Sequence, residues 1–375
     1  MAARIRTAPH TPKYLHVYSA LRRDIESGRW KDGEQLPSEL ELVRTFGVSR
    51  ITVTRAVRDL FLAGLVERLA GSGTFIRRKQ AAVHHSFGLL IPDLGDTEIF
   101  EPICQGMMAS PHARDCALIW GGTAGEDATK EARALALCRQ FVGRSVSGVF
   151  FAPLEHTDSR DAVNQTILHV LDEARIPVVL LDRPAAPYPQ SARHDLVGID
   201  NRRAGYVMTE HLVRLGSRRI GFVGAPHAAA TVAARAAGYR EALYVHGMDP
   251  TATWAQRLDP DDPSGVKQML AAMRPDALVC ANDRTAGRLM HTLRSLDYSV
   301  PDDIRLVGID DVDYARLLPV PLTTLRQPTR HIGDAALTLM LGRIARRRLP
   351  PRELRLDCEL IVRESCGAKL PRAAA

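Results

Sequence analysis

The chain has 375 residues, 45% of them hydrophobic and 25% charged, the balance of a soluble globular protein large enough for two or three domains. Collagen-like, fibrous and disordered classes are excluded, and no apolar run approaches the roughly 18 residues needed to span a bilayer. The formal charge of +7 is unevenly placed: residues 1–80 hold 15 Lys and Arg against 8 Asp and Glu, whereas residues 81–375 hold 35 of each.

A basic module ahead of an electrically neutral body points to a head that binds a polyanion and a body with another task. The N-terminus lacks the apolar stretch of an export signal. The six cysteines are never closer than eight residues, which leaves no CxxC pair for redox or zinc chemistry and predicts reduced thiols in a cytoplasmic protein.

In chain order, Tyr14, Val17, Leu21 and Ile25 recur at helical spacing, and Gly28 ends that run. Ser38 followed by Glu41 forms a capping-box pattern, so a short second helix is expected to start there and to stop at Gly47. Ser49 then caps a third helix predicted from Arg50 to Ala63. Two short helices separated by Gly-Val make a helix-turn-helix pattern. After Gly64, the segments 65–68 and 74–76 flank Gly71-Ser72-Gly73 and read as a two-stranded hairpin. The glycines of that tip precede neither a Lys-Ser/Thr pair nor a helix, so a phosphate-cradling loop is not supported.

These 80 residues carry LPSE (36–39), FGVSR (46–50), Thr52-Val53, Arg55-Ala56, GLV (64–66) and GSGTFI (71–76) in order. The stretch from Tyr14 to Ile76 resembles the GntR-type winged helix-turn-helix of bacterial transcription regulators. That resemblance implies binding of double-stranded operator DNA through Ser38, Ser49, Arg50, Thr52, Thr54 and Arg55 and through the wing glycines Gly71 and Gly73. Arg50 suits a bidentate contact to guanine or a phosphate clamp, and Ser49 and Thr52 suit phosphate or base contacts. The chain departs from the family pattern at Leu40 and Thr54, where arginine is common; Arg44 and Arg55 are the alternative sources of those contacts.

Residues 79–86 lack periodicity and read as a linker between a first domain at 12–78 and a body at 87–367. In the body, nine short β-branched runs alternate with amphipathic stretches: 87–91, 116–120, 147–152, 178–182, 197–199, 220–223, 277–281, 306–309 and 322–326. Such alternation predicts an α/β body of parallel sheets covered by helices, as one large sheet or two lobes. The strings PVVLLDRP (177–184), VGIDNRRAGY (197–206), ARAAGYREAL (234–243), ALVCANDRTAG (277–287) and RLVGIDDVDYARLL (305–318) resemble the LacI/GalR-type effector domain. That family has a two-lobed, periplasmic-binding-protein-like fold. A GntR-type head on such a body is the architecture of arabinose-repressor-type regulators.

The resemblance implies a small polar effector, a carbohydrate by preference, bound between the lobes, and a homodimer formed through helices near 100–108 and 274–296. Asp182, Asn282 and Asp310 sit at the carboxyl ends of predicted strands, where open α/β sheets bind ligands. Arg235 precedes its helix glycine by three residues and is expected to reach the cleft, with Phe100 covering a ring face. For Asp182 and Asp310 the alternative is a helix N-cap, and for Phe100 it is core. The family's polar residues near 228–231 are largely alanine here, which leaves the effector's identity open.

An enzyme reading finds little support. Beyond the linker the lysines are Lys130, Lys267 and Lys369, none placed for a Schiff base, and no GxSxG, Walker A or HExxH string occurs. No cofactor, metal or membrane association is predicted. A sugar-binding protein or an α/β enzyme with an appended head is the alternative; the first leaves the basic head without a purpose.

Overall fold

The computed structural model describes residues 13–27, 29–31, 33–62, 65–69, 72–76, 85–92, 98–121, 129–186, 188–190, 193–249 and 255–368. Contacts divide the chain into two units, with the boundary between His84 and His85. Gly28, Gly64, Gly71 and the linker residues 79–84 lie outside the described residues.

In the first unit, α1 (Lys13–Glu26), α2 (Glu39–Phe46) and α3 (Arg50–Leu62) precede an antiparallel hairpin of β1 (Val66–Leu69) and β2 (Gly73–Ile76). The capping box forms as the sequence predicts. The Glu41 N–H donates to Ser38 Oγ at 3.3 Å, and the Ser38 N–H donates to Glu41 Oε2 at 2.8 Å. Gly47 ends α2 at φ 62°, a left-handed conformation that costs glycine least. Val17, Leu21, Ile25, Leu42, Val53, Val57, Leu60 and Ile76 close a single small core.

The second unit has two α/β lobes. The first contains a six-stranded sheet in the order β13-β7-β6-β5-β3-β4. Its members are β3 (His85–Leu90), β4 (Cys116–Ile119), β5 (Gly148–Phe151), β6 (Val178–Leu181), β7 (Asp195–Ile199) and β13 (Glu353–Leu356). Every pair in it is parallel. The central strands GVFF and VVLL are buried on both faces, as expected of a parallel sheet sandwiched by helices. The helices are α4 (Phe100–Ala109), α5 (Lys130–Gly143), α6 (Arg160–Glu173) and α11 (Thr329–Ala345). The second lobe has a four-stranded parallel sheet, β11-β10-β8-β9, from β8 (Ile220–Gly224), β9 (Ala255–Arg257), β10 (Ala277–Cys280) and β11 (Arg305–Val307). Around it lie α7 (Asn201–Arg214), α8 (Ala230–Val245), α9 (Pro263–Met273) and α10 (Asp283–Ser295), with an antiparallel pair of β12 (Thr324–Arg326) and β14 (Glu359–Ile361).

The chain passes between lobes three times: at Asp200, at 327–328 and at 357–358. Two crossings are braced to each other by Arg203 to Asp357 and by Arg355 to Asp200 at 3.6 Å. In the first lobe, buried Asp195 at the start of β7 ties α11 and the entrance to β13 together. It accepts from Arg343 Nη2 at 2.6 Å and from the Arg352 N–H at 2.8 Å. Burial opposes its ionisation, but those donors hold its carboxyl below the usual range.

Both lobes use glycines for close helix crossings. A Cβ at Gly238 would overlap the carbonyl of Arg202, and one at Gly205 would overlap the carbonyl of Arg235. Thus α7 and α8 meet backbone to backbone, and this contact fixes the height of Arg235 on α8. Gly106 and Gly333 do the same for α4 and α11. Gly238→Ala is therefore expected to lower unfolding stability by about 1–3 kcal/mol through overpacking. A denaturant titration of the variant against the parent checks it.

Candidate functional site

Two sites stand out, one in each unit. In the first, Ser49 starts α3: the Thr52 N–H reaches its Oγ at 3.4 Å and the two hydroxyls are 2.8 Å apart. The outward face of the helix exposes Arg50, Ile51, Arg55 and Arg58. Ile51, at 82% relative exposure, was not singled out from sequence. A β-branched apolar side chain at the start of such a helix suits a thymine methyl. The DNA-contact candidates have different local partners. Thr54 donates to Glu39 Oε2 at 2.9 Å, and Arg50 lies 3.6 Å from the same carboxylate, which also pairs with Arg68 on β1 at 3.4 Å. Glu39 thus ties the recognition helix and the wing to α2. The Arg55 guanidinium stacks over Tyr14, 3.8 Å from the ring centre, and Ser38 is engaged in its capping box. Gly73 is described, at φ 121°.

The second site lies between the lobes of the second unit. Arg235 on α8 is 4% exposed, and its guanidinium has polar partners within the protein. Its Nε donates to Asn201 Oδ1 at 2.8 Å, its Nη1 donates to the Ala281 carbonyl at 2.5 Å, and its Nη2 lies 3.7 Å from Asp310 Oδ1. Gln327, at a crossing between lobes, donates to the same Asp310 oxygen at 2.7 Å. From the first lobe come Asp182 and Arg183, just past β6, and Glu155, past β5. Arg183 pairs with Glu155 and lies 3.7 Å from Asp182 Oδ2. Its guanidinium stands over Phe100 at 5.5 Å.

Asp182, at φ 67°, and Asp310, at φ 133°, both hold positive φ, where non-glycine residues are strained. Neither caps a helix. Asn282 does: its Oδ1 accepts from the Thr285 N–H at 2.8 Å and opens α10. Phe100 is 1% exposed within the shared core, so its contribution to the cleft is the face turned to Arg183. The structure therefore brings Asp182, Arg235 and Asp310 together, sets Phe100 beneath them, and uses the Asn282 carbonyl oxygen as a cap.

The electrostatics are those of a buried, carboxylate-rich cluster. Burial pushes the Asp310 carboxyl up to about 8 against the pull of Arg235, with Asp283 and Asp182 adding repulsion. Burial also raises Asp182 and takes Asp283 to about 6. Glu155 goes the other way: burial opposes its charge, but Arg183 and His156 outweigh it and hold it down to about 2. Two buried acceptor atoms, Asp182 Oδ1 and Gln327 Oε1, have no hydrogen-bond partner within the protein.

At the mouth the two lobes touch. The His156 N–H and Arg160 Nη1 both donate to the His227 carbonyl, at 2.8 and 2.6 Å, and the Ala229 N–H donates to Glu155 Oε2 at 3.2 Å. Glu155, Arg183, Asn201 and Gln327 were not picked out from sequence. Glu155 lies in the loop after β5, past the strand end at Phe151, so strand-end position points to its loop but not to the residue itself. No group of three or more His, Cys, Asp or Glu suited to a metal occurs among the described residues. No helix among them is long and apolar enough to cross a membrane.

Residues 13–76 match the model for bacterial regulatory proteins of the gntR family, and residues 209–366 match that for a periplasmic binding protein-like domain. The arabinose metabolism transcriptional repressor of Geobacillus stearothermophilus is 29% identical over 368 residues, covering 94% of this chain and 97% of that protein. Among solved structures, a complex of the transcriptional regulator CelR with cellobiose superimposes with a TM-score of 0.64 at 25% identity, covering 85% of this chain and 91% of that one. A LacI family regulator from Enterococcus faecalis with bound ribose gives 0.60 at 25% identity, covering 75% and 98%.

Because Asp310 holds its proton far above the ordinary carboxyl range of 3.8, its contribution to stability is complete below about pH 4 and is lost as pH rises through about 8. Asp310→Asn, a mimic of the neutral acid, is expected to match the parent only below about pH 4 and to melt at an increasingly higher temperature than the parent as pH rises from about 4 to about 8. Melting curves across that range test the sign.

Proposed function

We propose that this chain, in which a GntR-type winged helix-turn-helix precedes a LacI/GalR-type, periplasmic-binding-protein-like body, is a transcription repressor of the cytoplasm whose operator affinity is set by a small polyhydroxylated effector. One conjunction carries the reading. A recognition helix with an exposed leading face shares a chain with a buried interlobe cluster in which two hydrogen-bond acceptors have no partner within the protein.

In the head, Arg50 and Ile51 lead α3 into the major groove, where the N-terminal residues of a recognition helix meet base edges. Arg50 reads a guanine or clamps a phosphate on leaving Glu39, and Ser49 and Thr52 contact the backbone. The wing glycine Gly73 allows close approach to the minor groove.

In the body, sugar hydroxyls donate to Asp182 Oδ1 and Gln327 Oε1, whose present lack of donors is costly in a buried site. Arg235 and a protonated Asp310 supply the complementary donors, as binding of paired hydroxyls requires. The named ligands of the similar proteins, cellobiose and ribose, and the arabinose metabolism of the similar repressor, support a saccharide. The chain acts as a homodimer, because one winged helix buries too little surface for tight specific binding. Met108 on α4 and Leu317, both exposed, support the body as the dimer surface. Effector binding repacks the lobes and so the paired heads, which requires a preference of about 1–3 kcal/mol for one state.

Two measurements follow. A thermal-shift panel of arabinose, ribose, cellobiose and other saccharides should stabilise the protein by about 2.7 kcal/mol at a hundredfold excess over the dissociation constant; Arg235→Ala should erase the shift. Arg50→Ala should weaken an operator selected by the protein from random DNA by about 1–3 kcal/mol and leave the sugar response intact. Unchanged binding by both variants would refute the assignment.

A further inference from the structure

All pairs in the six-stranded sheet are parallel, so the segments that lead into its strands emerge on one edge. The chain arriving from the DNA-binding unit enters the sheet on that same edge, at His85. Those lead-in segments, 110–115, 143–147, 173–177, 193–194 and 346–352, contain eight arginines against two carboxylates, Asp115 and Glu173. Nearby Asp172 pairs with His194 at 2.9 Å, and Glu173 pairs with His169 at 3.2 Å. The body's zero net charge therefore conceals a polarised sheet, cationic at the end where its strands begin.

The arginines do not all have structural work. Arg352 is bound to Asp195. Arg144 and Arg346 follow helices α5 and α11, where a cation complements the helix C-terminus. That local role needs one charge, not the three consecutive exposed arginines Arg346, Arg347 and Arg348. Arg347 Nη1 reaches the Arg175 carbonyl at 3.4 Å, joining the segment before β13 to the one before β6. With exposed Arg144 and Arg114 further along the sheet order, the cations spread across five strand spacings, about 24 Å. B-form DNA carries phosphates every few ångströms over such a length.

We infer that this arginine edge of the body is a second, sequence-independent DNA contact that binds phosphates of the duplex held by the head. The inference rests on the DNA-binding reading of the head and adds a role for the effector body that its cleft does not require. Contacts of this kind raise affinity without reading bases, so their loss weakens all sequences alike.

The test uses the full chain and a long duplex of mixed sequence, titrated by fluorescence anisotropy over a range of salt. The variants are Arg346→Gln/Arg347→Gln/Arg348→Gln and the same three positions changed to Glu, with Arg50→Ala as the head control. Because the three side chains are exposed, both triple variants should fold, with melting lowered by no more than the loss of the cation at the α11 C-terminus and of the Arg347 contact to the Arg175 carbonyl. The Gln variant should bind at least about tenfold more weakly at low salt, with the salt slope reduced by about 1 to 3, and the Glu variant should bind more weakly still. If Arg50→Ala weakens binding while both triple variants keep the parent's affinity and slope, the edge does not touch DNA and the inference is wrong, although the head reading stands. If the parent itself fails to bind the duplex, both are overturned.

Discussion

The interlobe site is organised around one constraint: a guanidinium buried to 4% exposure at Arg235 must find polar partners within the protein. Asn201, the Ala281 carbonyl and Asp310 are those partners, and each depends on a further feature. Asn201 opens α7 at the first crossing. Ala281 ends the run of β10. Asp310 is held at positive φ by its own N–H donating to the Leu325 carbonyl at 2.9 Å and by Gln327 at the second crossing. The reciprocal glycines Gly205 and Gly238 set how far α8 pushes Arg235 inward. The cation is therefore wired to two of the three segments on which the lobes turn, so a ligand that changes its partners changes the lobes' preferred arrangement.

On the other side of the cleft, Glu155 has an equivalent place. It holds Arg183 over Phe100 and against Asp182, and it also accepts from the N–H of Ala229, the residue that precedes α8. A single carboxylate thus connects the first lobe's half of the site with the helix that carries Arg235. Both His156 and His227 take positive φ to make the neighbouring contact. Closure is built from strained backbone and shared carbonyls rather than from apolar packing, which suits a joint that has to reopen.

Much of this was legible in the amino-acid order. The capping box at Ser38 and Glu41 and the stop at Gly47 are local chemistry, and they form where the sequence puts them. All nine predicted body strands appear, within a few residues at their ends. The segments missed have tertiary causes. β13 (ELRL) and β14 (ELI) are short and largely exposed, and pairing with β7 and β12 makes them strands. α11 is buried against both α4 and the sheet, so its apolar residues lack a clean period. In the site, strand-end position alone selected Asp182, Asn282 and Asp310 alike. It could not show that Asn282 spends its carbonyl oxygen on a helix cap, or that Gln327 joins from a crossing 145 positions after Asp182. Net charge was legible, but its polarity within the body was not, because that depends on all sheet pairs being parallel.

The central claim is that cleft and head share one free-energy balance. The most direct measurement is operator affinity with and without saturating saccharide, paired with saccharide affinity with and without operator. Linkage requires the two fold-changes to be equal, at about 5- to 150-fold for an ordinary allosteric coupling, and Arg235→Ala should remove both. An operator affinity indifferent to a saccharide that demonstrably occupies the cleft would contradict the account.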